Sequence, residues 1–221
     1  MLEMLEIEPR EPARCAVIWL HGLGASGDDF VPLIQQWGLA DELGVRFVLP
    51  HAPHRPVTLN GGMVMRAWYD LYDLGFGRGE DSAGIGQAQQ QLLELIDRER
   101  QRGIPDARIL LAGFSQGGAI ALYTALRHPQ LLAGVLVLSG YLPLAERLAA
   151  EKRAADSLPI RIDHGRQDPV VPFAVAQATR QKLEAEGYTV EFHAYEMEHS
   201  LCPPQIETLR HWLVEHLGGA D

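Results

Sequence analysis

Residues at three separate places in the chain could together carry out acyl transfer. The first is a serine framed by glycines, Gly113-Phe114-Ser115-Gln116-Gly117, a G-x-S-x-G motif between an apolar run and a helix-like segment. A chain that turns sharply from strand into helix exposes the serine Oγ at the carboxyl end of the strand. Glycine two positions to either side removes side chains that would collide there. Gly118 gives the helix further room to lie close on the sheet. A helix starting at Ser115 also aims free N–H groups and a positive dipole end at the reacting centre. The rival reading is a glycine-rich turn without chemistry. The bare motif is common, and it is the strand-to-helix context that favours a nucleophile.

A serine hydroxyl is a weak nucleophile, so it needs a general base, and the base needs an orienting partner. With a nucleophile on such a turn, the partners follow in the order acid, then histidine, on loops after later strands. Asp168 lies in the loop Asp163-His164-Gly165-Arg166-Gln167-Asp168-Pro169-Val170-Val171-Pro172, which two prolines stiffen. Asp163 is the rival acid, but it sits at the strand end. The plain alternative for Asp168 is a turn aspartate before proline. His199 follows the strand-like run Val190–Tyr195. Among the nine histidines, His21, His51 and His54 precede the serine, and His128 ends a helix. His193 lies in a strand, and His211 and His216 lie on the last helix. His164 is too close to Asp168 and is expected to pack or bond within its loop. The plain alternative for His199 is a solvated loop histidine.

The tetrahedral intermediate of acyl transfer needs preorganised donors for its oxyanion. One is the backbone N–H of the residue after the nucleophile, Gln116. The second is expected from His21-Gly22-Leu23-Gly24-Ala25, directly after the run Cys15–Leu20, with the Leu23 N–H as donor. Read alone, this is only a glycine-rich turn.

The elements that must position these groups alternate along the chain. Apolar runs at Cys15–Leu20, Val45–Leu49, Ile109–Gly113, Val135–Ser139, Ile160–Asp163 and Val190–Tyr195 read as strands, several buried on both faces. Helices are expected over Asp28–Trp37, Ser82–Arg102, Gln116–Arg127, Leu144–Ala155, Phe173–Glu186 and Pro204–Leu217. Pro129, Gly187 and Gly218-Gly219 punctuate helix ends, and Asp81 or Ser82 caps the second helix. This is an α/β pattern: right-handed crossovers, a mostly parallel sheet and helices on both faces, in one domain over residues 1–221. The segment Pro50–Asp81 is the longest without a clear element. Met63, Met65, Trp68, Tyr69, Tyr72 and Phe76 make it a structured loop over a binding face.

Composition narrows the classes. The 221 residues carry 29 acids against 19 bases, a formal net charge of −10. A nucleic-acid surface needs a basic stripe, and an anionic membrane repels such a chain. Met1–Pro12 carries Glu3, Glu6, Glu8 and Glu11, the opposite of a basic leader. No run approaches the roughly 18 apolar residues of a membrane span. Cys15 and Cys202 are too few for a disulfide scaffold, although a single bond between them stays open. A cytoplasmic setting is the expectation. Gly75-Phe76-Gly77-Arg78-Gly79 follows no strand and lacks the phosphate-loop lysine, and no metal-ligand spacing occurs, so neither cofactor nor metal is expected.

The segments HGLGASGDDF, LPHAPHRPVTLNGGMVMRAWYDL, GFSQGGAIAL, HGRQDPVVP and MEHSLCP together resemble the bacterial carboxylesterase and acyl-protein thioesterase group of α/β-hydrolases, also called phospholipase/carboxylesterase. The resemblance runs from about residue 15 to 215. It implies the α/β-hydrolase fold, serine hydrolysis of carboxylic esters (in some members thioesters or lysophospholipids) and no cofactor. By motif position its triad falls on Ser115, Asp168 and His199, and its oxyanion donors on Leu23 and Gln116. Glu198 stands where many members have glycine, which bears on the pH optimum. Only about twenty residues separate Ser139 from Ile160, so no large cap domain fits and the site is expected to be shallow. Apolar residues of the 50–80 loop, with Leu23, Met65 and Trp68, are expected to bind a short-to-medium acyl chain of a small ester. A thioesterase or lysophospholipase with the same triad is the alternative. A non-catalytic ligand binder on this fold is the rival from another class. An exposed apolar patch near the site could support a homodimer.

Overall fold

The computed structural model describes residues 2–73, 75 and 79–218. Phe76 and Gly219, named above, lie outside the described residues, as do Gly77 and Arg78 of the glycine run. Nine strands are described. β1 (Met4–Ile7), β2 (Cys15–Leu20), β3 (Val45–Pro50), β6 (Ile109–Phe114), β7 (Gly134–Leu138), β8 (Ile160–Gly165) and β9 (Val190–Tyr195) make one sheet, and β4 (His54–Val57) pairs with β5 (Met63–Arg66) as a separate hairpin. The sheet order is β1-β3-β2-β6-β7-β8-β9, parallel throughout except for β1 against β3.

Side-chain alternation explains why the strands read as unbroken apolar runs. In β2, Ala16, Ile18 and Leu20 face one layer while Cys15, Val17 and Trp19 face the other, and all six are fully buried. The first layer packs under α3 (Ser82–Gln101), α4 (Gln116–Arg127) and α6 (Phe173–Ala185), through Leu92, Ile96, Ile120 and Leu183. The second packs under α1 (Val31–Trp37), α2 (Leu39–Leu43) and α7 (Pro203–Leu217), through Ile34, Trp37, Leu39, Leu209 and Leu213. Asp81 caps α3, its carboxylate accepting from the Gly84 N–H at 2.9 Å.

Five local readings differ from expectation. The segment 28–37 is a 3-10 turn, Gly27–Phe30, before α1 rather than one helix. The segment 144–155 holds only a 3-10 turn, Ala145–Arg147, and the single turn α5 (Leu148–Glu151). Tertiary contact overrides propensity there, because the Arg153 and Ala154 N–H groups donate to the Leu126 carbonyl, 2.9 and 3.2 Å away, and draw the chain off the helix. No cap domain interrupts β7–β8. The 50–81 loop contains the β4–β5 hairpin, closed by the Gly62 N–H on the Val57 carbonyl at 2.9 Å and tied to the following segment by Thr58, whose N–H and Oγ donate to the Asp70 carboxylate at 2.7 and 2.6 Å. β1 and α2 were not expected.

β1 packs Met4, Leu5 and Ile7 against the core at the sheet edge, and charge ties it down further. Glu6 accepts from Arg98 at 2.7 Å and Arg102 at 2.6 Å, and Glu8 accepts from Arg46 at 2.9 Å. Arg46 also donates to the fully buried Glu99 at 2.7 Å. Removing one partner of a buried pair leaves the other charge uncompensated. Glu99→Ala should therefore lose about 3 kcal/mol of unfolding free energy in urea titration; a loss below about 1 kcal/mol would show that Glu8, which also binds Arg46, compensates its charge without Glu99.

Candidate active site

Ser115 stands where β6 hands over to α4, at φ 55° and ψ −121°, a conformation a non-glycine residue rarely holds. Its N–H donates to the Leu138 carbonyl at 2.8 Å, and its carbonyl accepts from Ala119 at 3.0 Å. A Cβ at Gly113 would run into the Gly117 backbone, and one at Gly117 into the carbonyls of Leu20 and His21. Both glycines are therefore required by close backbone approach, as the motif implied.

Asp168 is buried in the loop after β8. Its Oδ1 accepts from the N–H groups of Val170 and Val171, both at 2.8 Å, and its Oδ2 accepts from His199 Nδ1 at 2.7 Å. A carboxylate can only accept here, so His199 carries its proton on Nδ1 and leaves Nε2 as the basic nitrogen. The His199 ring lies 4.8 Å from that of Phe114 and is partly exposed. Asp163, the rival acid, is fully buried and bound by Arg161 at 2.8 and 3.0 Å, away from His199. Glu198 is exposed to solvent.

His164 is fully buried, and its Nε2 donates to the Val171 carbonyl at 2.8 Å while lying 3.4 Å from Asp168 Oδ2. It braces the acid loop, as its position suggested. Burial pushes its pKa down and keeps it neutral. His21 is buried at the end of β2, and burial lowers its pKa likewise.

An open cleft of about 510 Å³ gathers Ser115, His199, Gly22, Leu23, Ala25, Asp29, Phe30, Phe114, Val170, Ser200 and Leu201. The expected nucleophile, base and Leu23 thus share one space, with Asp168 behind the base. Gln116, the first residue of α4, has an N–H with no acceptor inside the helix. Two expected substrate contacts fall elsewhere. Trp68 is 1% exposed, and its N–H donates to Gln116 Oε1 and its indole to the His21 carbonyl, both at 2.8 Å. It is a strut under the cleft, not a wall of it. Met65 lines a neighbouring depression of about 430 Å³ with His54, Val64 and Arg66. The apolar walls come from Phe30, Phe114, Val170 and Leu201 instead of the 50–80 loop. For Phe114, Val170 and Leu201 the signal in the sequence is an apolar residue within two positions of a catalytic one, Val170 being 42% exposed, whereas Phe30 carries no such mark. Cys15 and Cys202 are both free.

The two buried neutral imidazoles have a thermodynamic consequence. Unfolded histidine titrates near 6.5, and both folded values lie below it. Their contribution to stability is complete above that pH and is lost as pH falls through the folded values. Each should add a slope approaching about 1.4 kcal/mol per pH unit as the medium acidifies below 6.5. Proton uptake on unfolding, measured calorimetrically at about pH 6, should exceed that of His164→Asn by up to one proton. Equal uptake by the two proteins would contradict the neutral assignment.

Known proteins resemble the chain over nearly its whole length. A family model described as phospholipase/carboxylesterase matches residues 3–217. The chain is 39% identical over 211 residues to acyl-protein thioesterase 1 of Neurospora crassa, covering 91% of this chain and 86% of that one. It is 36% identical to a probable carboxylesterase of Oryza sativa subsp. japonica over 211 residues, 92% of this chain and 78% of that protein. Among solved structures, Zea mays acyl-protein thioesterase 2 superposes with a TM-score of 0.86 at 28% identity, covering 99% of this chain and 100% of that one. Arabidopsis thaliana SOBER1 superposes at 0.85 and 34% identity, covering 93% of this chain and all of that one. The chain belongs to the phospholipase/carboxylesterase family.

Proposed function

We propose that this protein is a serine carboxylesterase that hydrolyses short-to-medium acyl esters through Ser115, His199 and Asp168. The carrying observation is the 2.7 Å Asp168–His199 bond behind a cleft that also holds the strained Ser115. His199 Nε2 takes the Ser115 hydroxyl proton as Oγ attacks the ester carbonyl. Asp168 holds the Nδ1–H tautomer and stabilises the imidazolium. The N–H groups of Leu23 and Gln116 bind the oxyanion. His199 returns the proton to the departing alcohol, and water then cleaves the acyl-enzyme by the same steps in reverse roles. The apolar walls favour an acyl chain, and the open rim leaves the alcohol unconstrained. Small esters are the proposed substrates, nucleic acid being disfavoured by the net charge of −10. Two free cysteines fit work in the cytoplasm. Acyl-protein thioesterase activity is the second reading, favoured by the relatives that carry that name.

Hydrolysis of p-nitrophenyl esters from acetate to palmitate, with Ser115→Ala as blank, tests both. Ser115→Ala should lower kcat by about four to six orders of magnitude with the fold intact. Retention of a tenth of wild-type turnover would sink the nucleophile assignment. kcat/KM should peak at short to medium chains. A peak at palmitate, with release of a palmitoyl thioester from a peptide, would move the reading to the thioesterase. Absence of a fluorophosphonate adduct on Ser115 would favour a non-catalytic binder.

A further inference from the structure

One buried imidazole outside the triad has its hydrogen-bonding capacity fully committed at the turn facing Ser115. His21 directly follows β2, and its Nδ1 stands 2.7 Å from the Gly22 carbonyl oxygen. Its Nε2 stands 3.0 Å from the Ala52 backbone nitrogen. A carbonyl only accepts and an amide N–H only donates, so Nδ1 carries the proton and Nε2 does not. The His21 carbonyl accepts the Trp68 indole N–H at 2.8 Å.

The bond to Gly22 matters because of what shares its peptide plane. No described peptide bond is cis. In a trans unit the carbonyl of Gly22 and the N–H of Leu23 point in opposite directions in one rigid plane. A ring that fixes the carbonyl therefore fixes where the Leu23 N–H points. That plane lies against the nucleophile, since a Cβ at Gly22 would stand 3.4 Å from Ser115 Cβ and 3.3 Å from Phe114 Cδ1. The side chain of Gln116, whose backbone N–H is the other proposed donor, is held by the same segment as the His21 carbonyl. Gln116 Oε1 accepts from the Trp68 N–H and its Nε2 donates to the Tyr69 carbonyl, both at 2.8 Å. Residues 68 and 69 thus bond both His21 and the side chain of Gln116, the two residues from which the proposed oxyanion donors are positioned.

We propose that His21 is a positioning residue for the oxyanion hole: its Nδ1–H clamps the Gly22 carbonyl and so aims the Leu23 N–H at the developing oxyanion, while Trp68 steadies His21 from behind. His21 itself is fully buried and does not line the cleft. The inference rests on the reading of Ser115 as nucleophile.

Two substitutions separate the clamp from mere packing. An asparagine amide can place a donor where Nδ1 stands, whereas glutamine reaches the Nε2 position and leaves the Gly22 carbonyl unheld. Outright loss of an oxyanion donor costs about 10²- to 10³-fold in kcat, so a misaimed one in His21→Gln should cost about 10- to 100-fold. KM should change by less than about threefold, because the lost interaction belongs to the transition state. His21→Asn should recover kcat to within about fivefold of wild type. A His21→Gln enzyme within about twofold of wild-type kcat, or an Asn variant as impaired as the Gln variant, would overturn the proposal. Should the glutamine variant fail to fold, long-range ¹H–¹⁵N correlation on the wild-type protein decides instead. A proton on Nδ1 of His21 is expected, and a proton on Nε2 overturns the clamp. If Ser115→Ala keeps its activity, the underlying mechanism fails. If activity depends on Ser115 but is indifferent to His21→Gln, only the clamp fails.

Discussion

The site depends on one unfavourable backbone conformation. Ser115 at φ 55° costs on the order of 1–3 kcal/mol in isolation and persists only because its surroundings over-determine it. β6 lies between β2 and β7 in the middle of the sheet, so the strand entering the turn cannot shift. The Ser115 N–H is bound to the end of β7, and α4 is pressed onto β2 through Gly117. Because the crowding is backbone against backbone, no rotamer change relieves it. The surrounding core supplies the compensation through two layers of buried side chains on either face of the sheet.

Around this turn three histidines are sorted by burial. His21 and His164 are sealed from solvent, and desolvation holds both in the neutral form. In that form each donates one N–H to a carbonyl, His21 to Gly22 and His164 to Val171. His199 borders the cleft and has its Nδ1 pledged to Asp168, which leaves one nitrogen for chemistry. The same side chain thus serves twice as a fixed hydrogen-bond donor and once as a proton carrier, and access to water separates the roles.

The parallel core and the positions of Ser115, Asp168 and His199 were legible because their signals are local. Fully buried strands read as apolar runs, and the nucleophile motif needs glycine at fixed offsets. What stayed hidden depends on contacts distant in sequence. β1 is four residues, too short to stand out as a strand, and it is held by antiparallel pairing with β3 and by Arg98 and Arg102 on Glu6, with Arg46 on Glu8 just beyond its end. The 144–155 segment has helical composition, yet the end of α4 claims its amides. In sequence Trp68, an aromatic residue in the long loop, reads as a wall of the cleft. Its hydrogen bonds to Gln116 and His21, across 48 and 47 residues, are what take it underneath. His21 was set aside as a base since it precedes the serine, and its bond to the adjacent Gly22 carries no compositional mark.

The sheet order also divides the site by distance from its edge. The nucleophile and both oxyanion amides hang on β2 and β6, near the middle, whereas the acid follows β8 and the base follows β9, the terminal strand. β9 is secured along one side only, by parallel pairing with β8 from Ile160↔Val190 to Gly165↔Tyr195. A chain with β9 undocked would keep the elbow, the cleft floor and a reactive-looking serine, yet have no base to activate it. The pairing of this one edge strand therefore sets the distance between base and nucleophile.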